Sequence, residues 1–295
     1  MKSAEDVPVN YVRNAWYVAA WTDEIEAQKP FAVTILEEPV VIYRGESGRL
    51  VALEDRCVHR LAPLSLGRCE GDKLRCMYHG LLFDPAGSVV EIPGQDKIPP
   101  RARVRSYPVV ARHSWVWIWM GDPQAADEDL IPPAVGLDHP DYILGHGHLD
   151  YAAEARLIND NLLDFSHLSY VHAESFQSGP VFAETQGKIT PLERGIRYER
   201  WVENSLGSSS RASETPMDSY MVYDFLIPGV LLMTGGTFAL GTAKECDYGA
   251  PDYARATGGV TFTSQAVTRW RRRLRAISSH GAHTAITAMP RGATC

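Results

Sequence analysis

Cysteine is scarce in this chain: five residues in 295, at Cys57, Cys69, Cys76, Cys246 and Cys295. So few, so irregularly spaced, exclude a disulfide scaffold, and in a reducing compartment cysteine with nearby histidine points to metal instead. Long apolar runs are also missing. No uncharged stretch approaches the roughly 18 residues of a spanning helix, and the N-terminal MKSAEDVPVNYVRNAWYVAAW carries acidic residues where a signal peptide is basic. The expected location is the cytoplasm, without a membrane partner. A net charge of −7 and the lack of a basic stripe before Arg269 argue against nucleic acid. Neither an internal repeat nor a long polar tract is present, so the chain, at 45% hydrophobic residues, reads as a soluble globular protein of one or two domains.

From Phe31 to Trp119 short β patterns alternate with Gly, Pro and Asp: FAVTILEEPVVIYRG, RLVALEDRC, GLLFDPAGSVVEIPG and VRSYPVVARHSWVWIWMGDP. This half is expected to be antiparallel β. In SWVWIWMG both parities are apolar, which predicts a strand buried on two faces, by its own domain and by the second half of the chain. A Pro- and Asp-rich connector then places a domain boundary near residue 130, giving domains 1–130 and 131–295. Beyond it, YAAEARLINDNLLDFSHLSYVH has helical spacing through Leu157, Leu163, Leu168 and Val171. GIRYERWVE, SYMVYDFLIPGVLLMTGGTFALG and GGVTFTSQAVT read as strands around the Ser-rich SLGSSSRASETP. The second half is expected to be α+β.

The stretch CVHRLAPLSLGRCEGDKLRCMYHG, residues 57–80, carries chemistry. Cys57 and His59 stand two apart, sixteen residues intervene, and Cys76 and His79 stand three apart. Thiolates and imidazoles suit zinc or iron-sulfur iron, and two loops with four ligands fit both. The order separates them. A structural zinc site usually takes its cysteines as one close pair and its histidines as another. Here each loop supplies one of each, which suits a [2Fe-2S] cluster with Cys57 and Cys76 on one iron and His59 and His79 on the other. Gly67 and Gly80 allow tight turns around it. The alternative is a zinc-stabilised β domain; Cys69 lies outside the spacing and reads as a small buried or surface thiol.

A second metal motif lies in NDNLLDFSHLSYVH. His167 and His172 are five residues apart, about 140° around a straight helix, so they share a face only if the helix ends or bulges between them. Asp164 and His167 are i, i+3 neighbours, as are Asn161 and Asp164. Two histidines with one carboxylate make the facial triad of non-heme Fe(II) oxygenases.

C-x-H-x16-C-x2-H with Pro63 beside it resembles the Rieske motif. RNAWYVAAW, EDRCVHRLAPLSLG, CMYHGLLFD, WVWIWMGDP and NDNLLDFSHLSYVH together resemble the oxygenase component of the vanillate and dicamba O-demethylase branch of Rieske non-heme iron oxygenases, over roughly residues 10–268. The resemblance implies an antiparallel β Rieske domain followed by an α+β, helix-grip-like catalytic domain, and a homotrimer. It implies that His167 and His172 bind the mononuclear iron, with Asn161 beside it. Asp164 is then the carboxylate reaching toward a Rieske histidine of the neighbouring subunit. The implied reaction is O-demethylation of a methoxylated, lignin-derived aromatic acid such as vanillate or a biaryl relative. Electrons come from NAD(P)H through a flavin and ferredoxin-type reductase. Ring hydroxylation of another aromatic acid is the enzyme alternative, and a Rieske electron carrier without catalysis is the alternative of another class.

The resemblance breaks after Thr268. In the family an Asp on a helix after an aromatic strand completes the iron site, yet RWRRRLRAISSHGAHTAITAMPRGATC holds no acidic residue. Glu245, Asp247 and Asp252 precede the expected strand and are not promoted to the role. Regrouping each codon as its third base plus the next two lets RAISSHGAHTAITAM encode Arg-Tyr-Phe-Phe-Ser-Trp-Gly-Pro-His-Arg-Asp-His-Gly-Asp, which restores the family pattern. The expectation is a one-base shift of frame near Arg269, and a catalytic domain incomplete beyond it.

Overall fold

The computed structural model describes residues 11–134, 137, 145, 147–151, 153–174, 180–206, 215–257, 260–268 and 276–277. The chain divides into two compact units, 1–131 with 268–272, and 132–267 with 273–295. Thr268 thus belongs with the first unit, where its hydroxyl donates to the Val18 carbonyl at 2.8 Å, although the sequence places everything beyond 130 in the second domain.

The first unit is antiparallel β. Its strands are β1 (Ala15–Trp21), β2 (Phe31–Ile35), β3 (Glu38–Arg44), β4 (Leu50–Glu54), β5 (Arg68–Glu70) and β6 (Lys73–Arg75), then β7 (Leu82–Phe83), β8 (Val89–Glu91), β9 (Ser106–Tyr107), β10 (Val109–Arg112) and β11 (Trp115–Met120). They form three sheets ordered β1-β11-β10, β2-β3-β4-β9 and β5-β6-β7-β8. Because successive side chains of a strand point to opposite faces, β3 and β4 feed two cores at once. Val40, Ile42 and Ala52 join Tyr17, Ala19, Val116, Ile118 and Met120. Val41, Tyr43, Val51 and Leu53 face the other way and pack with Leu64, Leu74, Phe83, Cys57 and Cys76. The double-sided burial expected for β11 is met: all six residues are buried, and Trp115, Trp117 and Trp119 occupy the parity opposite Val116, Ile118 and Met120. Strand β1 is not evident from the pattern; AWYVAAW is buried throughout, so it lacks the alternation that advertises a strand.

The second unit holds β12 (Asp150–Tyr151), α1 (Ala155–Leu163), α2 (Val181–Glu184), β13 (Lys188–Leu192), β14 (Gly195–Ser205) and β15 (Met217–Leu226). It continues with β16 (Val230–Phe238), α3 (Thr242–Glu245), β17 (Val260–Ala266) and β18 (Ala276–Ile277). Strands β13 to β17 form one antiparallel sheet in chain order, and β12 pairs with β18. On one face of this sheet Tyr223, Phe225, Leu231 and Met233 pack with Ile158, Leu162, Leu163 and Phe165. On the other, Trp201, Tyr220 and Phe238 pack with Ala243 and Tyr253.

The helix departs from its expected outline. It ends at Leu163, and its buried residues are Ile158 and Leu162; Leu157 and Val171, read as part of the apolar stripe, are 52% and 72% exposed. The tail after Thr268, where the shift of frame is expected, lies outside the described residues apart from the backbone of Ala276 and Ile277.

Candidate metal centres

Two loops in the first unit carry the Cys-His pairs, and they are built on one frame. In the loop after β4, the Cys57 N–H donates to the Ala62 carbonyl at 2.8 Å and the Leu61 N–H donates to the Cys57 carbonyl at 2.8 Å. In the loop between β6 and β7, the Cys76 N–H donates to the Leu81 carbonyl at 2.9 Å and the Gly80 N–H to the Cys76 carbonyl at 3.2 Å. The fourth residue after each cysteine turns the chain through positive φ: +57° at Leu61, +74° at Gly80. Glycine takes that conformation without strain; leucine does not. The other expected turn glycine, Gly67, has an ordinary φ and is needed for space instead: a Cβ there would sit 2.1 Å from the Arg75 carbonyl oxygen.

These loops bring the four expected donors together. The Nδ1 atoms of His59 and His79 are 3.1 Å apart, with ring centres 4.4 Å apart at 70°. Two nitrogens each about 2.1 Å from one metal ion fit that spacing. Cys57 and Cys76 are both 2% exposed and packed in one core. Burial pushes the Cys57 thiol up, and its contact with the Cys76 thiol pushes the same way. The donor set thus has two sulfurs inside and two nitrogens at the surface. Among the described residues no three His, Cys, Asp or Glu converge as ligands of a single ion. Cys69, in β5, is a free, half-buried thiol packed beside this core.

The frame is held by residues that the motif did not reveal. Asp55, 8% exposed, accepts from the Ser65 N–H at 2.7 Å and the Ser65 hydroxyl at 2.6 Å, closing the first loop. Arg75 donates to the Gly80 carbonyl at 2.7 Å, to Glu70 at 2.7 Å and to Glu91 at 2.9 and 3.1 Å, bracing the second. The Glu91 pairing is a two-pronged guanidinium-carboxylate contact. An Asp two residues before one cysteine and an Arg immediately before the other are the only hints in the sequence.

In the second unit, α1 gives way at Asp164, whose extended backbone ends the helix, and a single 3-10 turn, Ser166–Ser169, comes next. The helix therefore ends before His167, not between the two histidines as expected; between them lies the end of the 3-10 turn, at Tyr170. His167 and His172 come together with ring centres 5.2 Å apart at 61°. His167 Nδ1 is buried without a hydrogen-bond partner and lies 3.6 Å from Asp164 Oδ2, an orphaned polar atom of the kind a ligand satisfies. Asp164 Oδ1 accepts from the Ser166 N–H at 2.9 Å and the Ser166 hydroxyl at 2.5 Å. The hydroxyl above all holds the Asp164 carboxyl below the usual carboxylate range. Asn161 sits on the exposed side of α1, joined to Asp164 only through its carbonyl, at 3.3 Å. Glu245 pairs with Arg255 at 2.6 Å and Asp252 caps the Ala254 N–H at 3.0 Å, so both are engaged elsewhere.

Two units, one with a Cys/His double loop and one with a helix and histidine pair laid on an antiparallel sheet, define an oxygenase component of Rieske type. Residues 15–108 match the Rieske [2Fe-2S] domain and residues 151–257 the vanillate O-demethylase oxygenase C-terminal domain. The chain belongs to the Rieske non-heme iron oxygenases, in the branch of the vanillate and dicamba O-demethylase oxygenase components. It is 41% identical over 268 residues to the toluene-4-sulfonate monooxygenase system iron-sulfur subunit of Comamonas testosteroni, covering 87% of this chain and 74% of that one. With a vanillate O-demethylase oxygenase subunit from a Pseudomonas species it shares 35% identity, over 82% of this chain and 69% of that one. The crystal structure of dicamba monooxygenase bound to dicamba superposes with a TM-score of 0.79 at 30% identity, covering 90% of this chain and 76% of that one.

Proposed function

We propose that this chain is the oxygenase component of a reductase-dependent system that hydroxylates a methyl carbon carried by an anionic aromatic, and that its reaction is O-demethylation of a methoxylated aromatic acid such as vanillate or a biaryl relative. One observation carries the reading: a four-donor Cys/His double loop and a separate histidine pair occur in one chain. An electron carrier needs only the first. Cys57, Cys76, His59 and His79 would hold a [2Fe-2S] cluster, and His167 and His172 a mononuclear iron. When bound, these groups supply single electrons and the activation of dioxygen. The overall change is ArOCH3 + O2 + two electrons + two protons to ArOCH2OH + H2O; the hemiacetal then breaks to ArOH and formaldehyde. The ionised Asp164 offers acceptor lone pairs at the surface of its unit, suited to the outer N–H of an imidazole on another copy.

Exposed apolar side chains rim both sites: Leu61, Leu66, Met77 and Tyr78 at the double loop, Leu157, Tyr170 and Val171 near the histidine pair. Such patches favour a homotrimer in which the first site of one copy meets the second site of the next, with a reductase as the separate electron donor.

Turnover with NAD(P)H and a cognate flavin and ferredoxin-type reductase tests the reaction. Stoichiometric formaldehyde supports demethylation. The similarity to a toluene-4-sulfonate monooxygenase subunit favours one second reading, hydroxylation of a ring methyl, which yields a benzylic alcohol and no formaldehyde. A diol would establish ring hydroxylation, and reductant consumed without oxidised substrate would reduce the chain to a carrier.

A further inference from the structure

Arg200, on β14, is 5% exposed. A guanidinium at that depth is costly unless its charge and N–H groups are met; Nε has no hydrogen-bond partner, so the contacts of the rest of the group offset the cost. Its partners come from two places. Nη1 donates to the Phe182 carbonyl at 2.6 Å and to the Thr185 carbonyl at 3.4 Å. Phe182 lies in α2 and Thr185 directly follows it, at the helix end where acceptors are left unfilled. The guanidinium carbon also lies 5.5, 5.4 and 5.9 Å from the ring centres of Phe165, Phe182 and Tyr198, within cation-π reach. Phe165 in turn stacks on Tyr198 at 4.9 Å and 17° and meets Tyr223 edge-on at 5.3 Å.

Phe165 and Thr185 are the two ends of the segment that carries His167 and His172. We propose that Arg200 is a positioning residue, a clasp that gathers both ends of segment 165–185 onto β14 and thereby fixes the two imidazoles against the sheet. The ends are held by different chemistry. At the first end the planar cation meets an aromatic face; at the second, two carbonyl oxygens receive its N–H groups. Lysine cannot serve both, being a point charge with no plane to lay against a ring. With the clasp open, the ends keep their own packing, such as the Phe165 stack on Tyr198, but lose a group that holds both at once, and chain entropy then opposes the paired arrangement. The proposal rests on the metal-ligand reading for its purpose, but the clasp itself is tested without metal.

The test is amide hydrogen exchange on the full chain, parent against Arg200→Met and Arg200→Lys. Exchange at Tyr170 and Val171, bonded to the His167 carbonyl, and at Glu184 and Thr185, bonded to Pro180 and Val181, should rise together by tenfold or more. The amides of β15 and β16 and the visible spectrum of the cluster should stay as in the parent. In histidine-labelled NMR, the ring-current displacement of the His167 and His172 imidazoles should collapse in both variants. Methylguanidinium added to Arg200→Ala should restore it, a rescue that a general loss of packing would not allow. Phe165→Leu, milder should the arginine variants fail to fold, should loosen Tyr170 and Val171 while leaving Glu184 and Thr185 protected. Loosening at one end only in the Arg200 variants, or at neither, overturns the clasp. Loosening of both ends with unchanged Co(II) affinity upholds it and counts against the histidines as ligands.

Discussion

His59 and His79, twenty residues apart in sequence, point their Nδ1 atoms at one another across 3.1 Å, while the two cysteines behind them are sealed in a core. The double loop therefore separates its donors by polarity, with sulfur inside and nitrogen outside. Replacing a neutral imidazole by a thiolate adds negative charge at the outer iron and disfavours the arriving electron. His59→Cys should lower the reduction potential by on the order of 100 mV or more. Protein-film voltammetry measures it, and an unchanged or higher potential would remove His59 from the ligand set.

The Asp164 carboxyl lies below the usual range because the Ser166 hydroxyl and N–H favour its ionised form. A depressed carboxylate contributes stability above its unfolded value, and that contribution is lost as pH falls through the folded value. Ser166→Ala should therefore move the Asp164 titration up toward the ordinary value of about 3.9, so that the turn melts at a higher pH than in the parent. Carboxyl-carbon NMR reads it directly. Asp164→Asn should leave the cluster assembled but slow its substrate-dependent reoxidation about ten- to hundredfold, the range found for residues that orient metal ligands.

Arg75 braces the second loop through the Gly80 carbonyl and two glutamates. In Arg75→Met the thiolates and imidazoles remain, so the cluster should still assemble, yet its colour should bleach several times faster in air. Equal bleaching rates would mean that the loop needs no such brace.

Leu61 occupies a left-handed position that Gly80 occupies in the twin loop. Leu61→Gly should therefore raise the stability of the first unit by about 1 kcal/mol, seen as a higher melting temperature of the cluster-bearing unit. A lower one would show that the leucine side chain stabilises the loop more than its backbone strains it.

The histidine pair offers two imidazoles, and Glu245 and Asp252, the acids before the expected strand, are engaged elsewhere. The 295-residue chain should bind about two irons, both in the cluster, and turn over negligibly even with reductase. Restoring the frame after Thr268 should raise the count to about three and bring activity with it. Colorimetric iron assay of both forms checks this, as does resequencing around codon 269; a verified unbroken frame would end the frame argument.

Much of this was legible in the sequence because ligand chemistry is local. Cys57, His59, Cys76 and His79 announce themselves by spacing, and FAVTILEEPVVIYRG folds as a hairpin because its alternation and turn agree. What escaped depends on contacts remote in sequence. Nothing near Arg200 names Phe165 or Thr185 as its partners. The buried side of α1 runs through Ile158 and Leu162 because the sheet lies there, and a stripe through Leu157 is equally periodic on paper. The helix ends at Leu163 because Asp164 turns to hold Ser166, a choice between two local options that periodicity does not rank.

Leu61 is at once strained and 67% exposed, so neither its conformation nor its burial accounts for its place in the chain. A laboratory selecting this protein for heat resistance would be drawn toward glycine there, and every melting curve would endorse the change. The same selection would strip an apolar contact from the rim of the cluster. A thermostabilised version should therefore be judged by how many electrons reach product for each NAD(P)H consumed, because that coupling is where the missing leucine would be felt.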